Sequence, residues 1–257
     1  MQTTSRTPGI LLAYELVEGA GPVVVFCAGF GSDMGGTKAL HLREFCVATG
    51  RAMLRFDYGG HGASGGAFAD GCIGDWVQDA AHVITHAIPG RKMVLVGSSM
   101  GGWISLLLAR AAPAMVIAVL LVAPAPDFTE TLMKPALTDA QKASLARDGY
   151  FQLPSPYGPP TQITARLLDD GAAHLLLGGT IPIGCKVLIL HGMRDEDVPW
   201  RHSLSLGEAL ASTDVRLVFI KDGDHRLSRP ADLALLTHSL AELLGENAGE
   251  SLSEGRV

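Results

Sequence analysis

KMVLVGSSMGGWISLLLARAA, residues 92–112, runs from an apolar strand through a glycine-rich turn into a helix. The turn holds two adjacent serines, Ser98 and Ser99. Centred on Ser99, the pattern G-x-S-x-G is met by Gly97 and Gly101. Centred on Ser98, the flanks are Val96 and Met100 and the pattern fails. A strand-to-helix turn this sharp strains the serine backbone and exposes its oxygen at the sheet edge. Side chains two residues to either side would collide with it. Spacing therefore selects Ser99 as the candidate nucleophile and Gly97 and Gly101 as the elbow glycines. A purely structural turn is the alternative at this point, because glycine also suits close backbone packing.

Outward from this turn, short apolar runs alternate with amphipathic ones. ILLAYELV (10–17) and PVVVFCAG (22–29) flank the turn EGAG and predict a β-hairpin. Helical spacing predicts helices over 35–50, 75–88, 99–112, 200–211 and 231–244. Strands are predicted at 52–58, 92–98, 116–123, 186–192 and 215–220. Strands apolar throughout, alternating with helices, predict an α/β fold: a mostly parallel twisted sheet with helices on both faces. Residues 126–180 break the alternation, with helix-like pieces at 138–147 and 161–177. The segment is too long for an ordinary connection and reads as a small inserted cap. The expectation is one domain over 1–257, with a tail lacking order at 246–257.

At 257 residues the chain suits a single large core. Apolar residues at 47% and charged residues at 18% exclude disordered and fibrous classes. A net charge of −6 without a Lys/Arg cluster argues against nucleic-acid or anionic-membrane partners. The longest apolar run, 111–126, carries three prolines and is too short for a transmembrane segment. The start, MQTTSRTPG, has no signal-peptide pattern. Cys27, Cys46, Cys72 and Cys185 show no metal-like spacing, so they are expected to be reduced thiols in a cytoplasmic protein.

A serine hydroxyl is a weak nucleophile and needs a histidine base, itself oriented by an acid. Behind an elbow of this type the chain order is Ser, acid, His. KVLILHGMRDEDVPW supplies Asp195, Glu196 and Asp197 just past a strand, and VRLVFIKDGDHR supplies His225 past the last one. His202 and His238 fall within predicted helices and are worse placed. An oxyanion needs backbone N–H donors, one from the residue after the nucleophile and one from an early βα loop. Those are Met100 and, in FCAGFGSDMGG (26–36), Phe30 between Gly29 and Gly31.

These residues resemble the α/β-hydrolase superfamily. GSSMG is similar to its elbow, HGMRDEDVP to its acid loop, GDH (223–225) to its histidine loop and DYGGHGAS (57–64) to its early turn. The resemblance assigns the acid to the first carboxylate, Asp195, with Asp197 in reserve. GFGSDMGGTKAL, RFDYGGHGASGG, HGMRDEDVPW and STDVRL further resemble the mitochondrial palmitoyl-protein thioesterase and acyl-glucuronide esterase group. That implies hydrolysis of esters or thioesters without cofactor or metal. The substrate would be a small acyl ester or thioester, or an S-acylated protein. With no transit segment before the domain, a bacterial cytoplasmic relative is implied. Ala28-Gly29 stands where many such hydrolases have His-Gly.

Other readings stay open. A carbon–carbon bond hydrolase of ring-cleavage products uses the same triad and needs basic groups in the cap, where Arg147 and Arg166 lie. A non-catalytic ligand-binding member of the fold is a further alternative. His82 and His86, with Asp75 and Asp79, share a zinc-like helical face but read as an ordinary polar surface. Asp57 is expected to shape a turn, and Trp103 to pack in the core. Ser32, Asp33 and Lys38 are expected to cap and charge-balance the first helix, with a second possible role at the substrate. The sequence carries no signal for oligomeric state.

Overall fold

The computed structural model describes residues 1–154 and 160–245. Its strands in chain order are β1 (Gln2–Thr7), β2 (Ile10–Val17), β3 (Ala20–Cys27), β4 (Arg51–Phe56), β5 (Met93–Ser98), β6 (Val116–Val122), β7 (Tyr150–Leu153), β8 (Thr161–Thr164), β9 (Lys186–Gly192) and β10 (Val215–Ile220). The helices are α1 (Thr37–Ala48), α2 (Ile73–Ala87), α3 (Met100–Ala111), α4 (Lys134–Ala136), α5 (Asp139–Asp148), α6 (Ala165–Ala172), α7 (Arg201–Ala209) and α8 (Pro230–Leu243). One sheet takes the order β1-β2-β4-β3-β5-β6-β9-β10. It is antiparallel from β1 to β4 and parallel from β4 to β10.

Every residue of β5 is buried. Successive strand residues point to opposite faces, so both faces of the sheet are covered. Tyr58, Trp76 and Trp103 are among the largest fully buried side chains. Each such side chain contributes roughly 2–3 kcal/mol by leaving water. No helix among the described residues is long and apolar enough to cross a membrane.

The expected hairpin of 10–17 with 22–29 is not formed. β4 lies between β2 and β3, antiparallel to the first and parallel to the second. The short turn crosses the start of β4 so closely that a Cβ on Gly19 would lie 2.5 Å from the Ala52 nitrogen. Instead β2 pairs with β1, whose sequence QTTSRT has no apolar alternation to announce a strand. The polar face of α2 is correspondingly not an open surface. Arg6 of β1 pairs with Asp79 at 2.8 Å and with Asp75 at 3.5 Å, and Asp79 is buried. The helix-like piece expected at 161–177 is β8 followed by α6, with β7 and β8 pairing antiparallel.

Between β6 and β9 the chain leaves the sheet. A π-helical turn, Thr129–Met133, leads into α4, and α5 and the β7–β8 hairpin follow. The segment is pinned at its base. The buried Asp127 carboxylate accepts the Leu176 and Leu177 amides at 2.7–3.0 Å. Arg166 on α6 pairs with Asp75 at 2.6 Å, and Asp170 accepts the Gly74 amide at 2.7 Å. The tail beyond Gly245 falls outside the described residues.

Candidate active site

Ser99 sits between β5 and α3 with φ 54° and ψ −119°. A β-carbon-bearing residue is strained there, at a cost of about 1–3 kcal/mol. Backbone bonds from both sides impose the conformation. The Ser99 amide donates to Val122 O at 2.9 Å, and its carbonyl accepts Gly102 and Ala125 amides at 2.9 and 3.1 Å. The neighbouring glycines make the turn possible. A Cβ at Gly97 would lie 2.5 Å from Ser105 Oγ, and one at Gly101 would overlap the Cys27 carbonyl.

The acid and histidine loops leave adjacent parallel strands, β9 and β10, and are stitched together by backbone. Met193 N–H donates to Ile220 O at 2.8 Å, and Arg194 N–H to Gly223 O at 2.9 Å. This brings Asp195 Oδ2 to 2.7 Å from His225 Nδ1, and His225 Nε2 to 3.1 Å from Ser99 Oγ. Facing a carboxylate, Nδ1 is the donor, which leaves Nε2 to accept the serine hydroxyl. The Asp195 side chain is fully buried, whereas that of His225 is 22% exposed. Burial pushes the Asp195 carboxyl up. Donors from His191, His225 and the Val198 amide more than offset this and hold it well below the usual carboxylate range.

Lys38 of α1 anchors the histidine loop, its Nζ donating to Arg226 O at 2.6 Å. Burial lowers the Lys38 amine to about 8, against the opposing pull of Asp224. The expected capping role of Ser32 and Asp33 is not taken: Gly36 caps α1 without a side-chain bond, and Asp33 accepts the Gly35 amide at 2.7 Å. Asp57 accepts the Met34 and Ala63 amides at 2.6 and 2.8 Å, and so shapes the turns on either side of it.

The Phe30 loop lies against the elbow. A Cβ on Gly29 would sit 3.4 Å from Ser99 Cβ. Edge contacts of the Phe30 ring with Phe68, Trp76 and Phe128 hold the loop in place. Neither the Phe30 nor the Met100 amide meets a hydrogen-bond acceptor among the described residues. Two cavities meet at Ser99, Phe30 and His225. One, of about 570 Å³, is mostly apolar and lined by Phe128, Leu132, Met133, Leu137, Phe151 and Leu153. The other, of about 730 Å³, is polar and lined by Ser32, Lys38, Arg194, Asp224 and Arg226.

Residues 20–151, just over half of the chain, match the family model described as serine aminopeptidase, S33. The rat protein named palmitoyl-protein thioesterase ABHD10, mitochondrial, is 37% identical over 235 residues, 91% of this chain and 78% of its own. The chain belongs to the α/β-hydrolases. Among solved structures, a putative hydrolase from Agrobacterium vitis S4 superposes with a TM-score of 0.90 at 42% identity, covering 95% of this chain and 97% of that one. Mouse α/β-hydrolase domain-containing protein 10 gives 0.86 at 35% identity, covering 95% and 98%. This α/β-hydrolase is therefore related to the ABHD10 proteins.

The structure brings Ser99, Asp195 and His225 of the hydrolase into one hydrogen-bonded line. Asp197, the reserve acid, is exposed; one of its carboxylate oxygens lies within 4.8 Å of ligand atoms on Asp195 and His225. That cluster is a poor cation site. Asp195 Oδ1 already accepts the Asp197 and Val198 amides at 2.9 and 2.8 Å, and Oδ2 accepts two imidazoles. Its lone pairs are taken. On α2, His82 bonds Thr4 Oγ1 at 2.9 Å while Asp75 and Asp79 turn to Arg6, so these groups do not converge on a metal. His202 donates to Pro126 O at 2.6 Å, away from Ser99.

One residue escaped the sequence reading. His191, at the end of β9 and fully buried, also bonds Asp195 Oδ2, at 3.1 Å. Its signal was present in HGMRD as a histidine four residues before the acid. That spacing suggests contact only on a helix, and here a loop produces it.

Proposed function

We propose that this α/β-hydrolase cleaves carboxylic esters or thioesters through Ser99, His225 and Asp195. The observation that carries the reading is the continuous Ser99–His225–Asp195 hydrogen-bond line opening onto two cavities of opposite character. Ser99 Oγ attacks the acyl carbon while His225 Nε2 takes its proton. The Phe30 and Met100 amides receive the oxyanion. The tetrahedral adduct collapses to an acyl-enzyme as His225 hands the proton to the leaving group. Water, deprotonated by His225, then releases the acid and restores Ser99. Asp195 holds the imidazole tautomer and stabilises the imidazolium.

The apolar cavity suits the acyl chain, with residues 126–180 acting as a cap over it. The polar cleft suits the leaving group. A thiolate or an acyl-bearing sugar oxygen leaves more readily than an amine, so esters and thioesters are preferred over amides. The thioesterase names of the relatives agree with this choice. A fluorophosphonate probe tests the nucleophile: the unaltered protein labels and Ser99→Ala does not. Labelling that persists in Ser99→Ala would remove the assignment. A panel of S-acyl, acyl-glucuronide, p-nitrophenyl and anilide substrates tests the class, and fastest cleavage of the anilide would overturn it.

The carbon–carbon reading required basic groups from the cap. Arg147 is engaged with Asp148 at 2.6 Å on the surface. Arg166 pairs with Asp75 beside a separate cavity of about 240 Å³. Neither lines the apolar cavity, so no observation favours that reading.

A further inference from the structure

The fully buried His191 is bonded on both ring nitrogens. Its Nε2 faces two acceptors, Asp195 Oδ2 at 3.1 Å and Val198 O at 3.0 Å. Neither a carboxylate nor a carbonyl can donate, so the proton is on Nε2. Its Nδ1 then receives the Ser203 hydroxyl at 2.6 Å. The result is a chain of five groups: Ser203, His191, Asp195, His225 and Ser99. The two imidazoles share a single carboxylate oxygen.

We infer that His191 is a positioning residue that sets the basicity of His225 through Asp195. This rests on the reading of Ser99, His225 and Asp195 as the working triad. Two effects follow from the geometry. First, the carboxylate rotamer is fixed from both ends, by the Asp197 and Val198 amides on Oδ1 and by His191 on Oδ2. Second, the His191 N–H draws on the same negative charge that stabilises the His225 imidazolium. A charge shared between two donors supports each less than it would support one. Removing the His191 N–H therefore strengthens the Asp195–His225 bond and makes His225 harder to deprotonate.

Other charges face this chain. The acid loop brings Arg194, Glu196 and Asp197, and the histidine loop brings Asp224 and Arg226. Lys38 lies beneath the histidine loop. His202 of α7 interacts electrostatically with His191 and with Asp127. The loop charges and Lys38 are unchanged in a His191 variant and cancel when it is compared with the unaltered protein. His202, which feels His191, cancels between His191→Phe and His191→Gln, where the ring is absent from both.

The test is the rate of fluorophosphonate labelling of Ser99 as a function of pH, which needs no knowledge of the natural substrate. In His191→Phe, which keeps the ring volume without the N–H, the acid limb moves up by about 0.5–1 pH unit. In His191→Gln, whose amide nitrogen takes the place of Nε2, the limb returns to within about 0.2 unit of the unaltered protein. A folded His191→Phe with an unmoved limb overturns the proposal, as does a His191→Gln that shifts equally far. If His191→Phe does not fold, ¹⁵N-histidine NMR of the unaltered protein decides. A proton on Nε2 of His191 is expected, and one on Nδ1 with Nε2 bare overturns the inference. Failure of Ser99 to label in the unaltered protein would instead count against the triad reading itself.

Discussion

Ser99 occupies backbone that only the surrounding residues make tolerable, and Gly101 is the tightest of them. A methyl there would overlap the Cys27 carbonyl and sit 2.6 Å from Ala28 O, both backbone atoms of β3 and the loop after it. Flexible side chains yield to such a contact, but backbone in the central strands does not. Gly101→Ala is therefore expected to destabilise the protein by about 3 kcal/mol, the upper part of the overpacking range. It should also slow Ser99 labelling, because relief comes from pushing the elbow away from the Phe30 loop. Chemical denaturation and probe labelling measure the two effects; a variant of unchanged stability would mean that the elbow relaxes freely. The glycine requirement was legible in the sequence because G-x-S-x-G encodes a steric rule. So was the chain order that put Asp195 and His225 within reach of Ser99. His191 was not legible, since its contact depends on how the acid loop folds back rather than on a local period.

At the scale of elements, legibility followed the apolar pattern of the strands. β9 has the bounds expected from KVLILHG, because the buried apolar run VLIL leaves little choice of partner. β10 has those expected from VRLVFI, although it is a half-buried edge strand with Arg216 exposed. β1, at the other edge, gives no such signal because QTTSRT carries no apolar residue. The pairing of β2 was misread because a short connector says how far the chain travels, not which strand slips between. In the segment from α4 to β8 the apolar residues are divided between the wall of a cavity, with Leu137 and Leu153, and the core, with Ile163, so no single periodic face marks its elements. That cavity makes a prediction of its own. Each methylene buried in it contributes at most about 0.8 kcal/mol, so kcat/KM on a p-nitrophenyl ester series rises up to about fourfold per CH2 until the chain emerges. Ala136 of α4 is exposed on the wall of the cavity. Ala136→Phe is expected to bring the plateau to shorter chains while leaving the acetyl ester unaffected. Equal loss on all chain lengths would mean that the wall of α4 does not contact the acyl chain.

For the molecule as a whole, charge burial decides the pH range of stability. Burial lowers His61 and His202 below the ordinary histidine value of 6.5. Folding thus disfavours their protonated forms, and the unfolded chain binds the extra protons. Their contribution is complete above about pH 6.5 and is lost as pH falls toward the folded values, with a limiting slope of about 1.4 kcal/mol per pH unit for each. Carboxylates act later. The hydrogen bonds on Asp195, and Arg229 beside Asp232, hold these acids below their ordinary values, so their contribution is lost only below about pH 4. Asp57 and Asp127, raised by burial, work in the opposite sense. Folded, they take up protons above the ordinary value of 3.8, so their relief offsets part of the histidine loss and is complete before the paired acids give way. The first acid weakening therefore belongs to the histidines. His61 is the sharper case: it is buried among Tyr58, Phe68 and Trp76, and its Nε2 has no partner among the described residues. A phenyl ring keeps those edge contacts and removes both the unsatisfied nitrogen and the proton site. His61→Phe is expected to match or exceed the unaltered protein in stability at pH 7. At pH 5.5 it should be more stable by up to about 1.4 kcal/mol, one pH unit of that slope. Denaturant unfolding between those pH values measures the difference, and a variant that weakens with the unaltered slope would place the first acid loss on His202 instead.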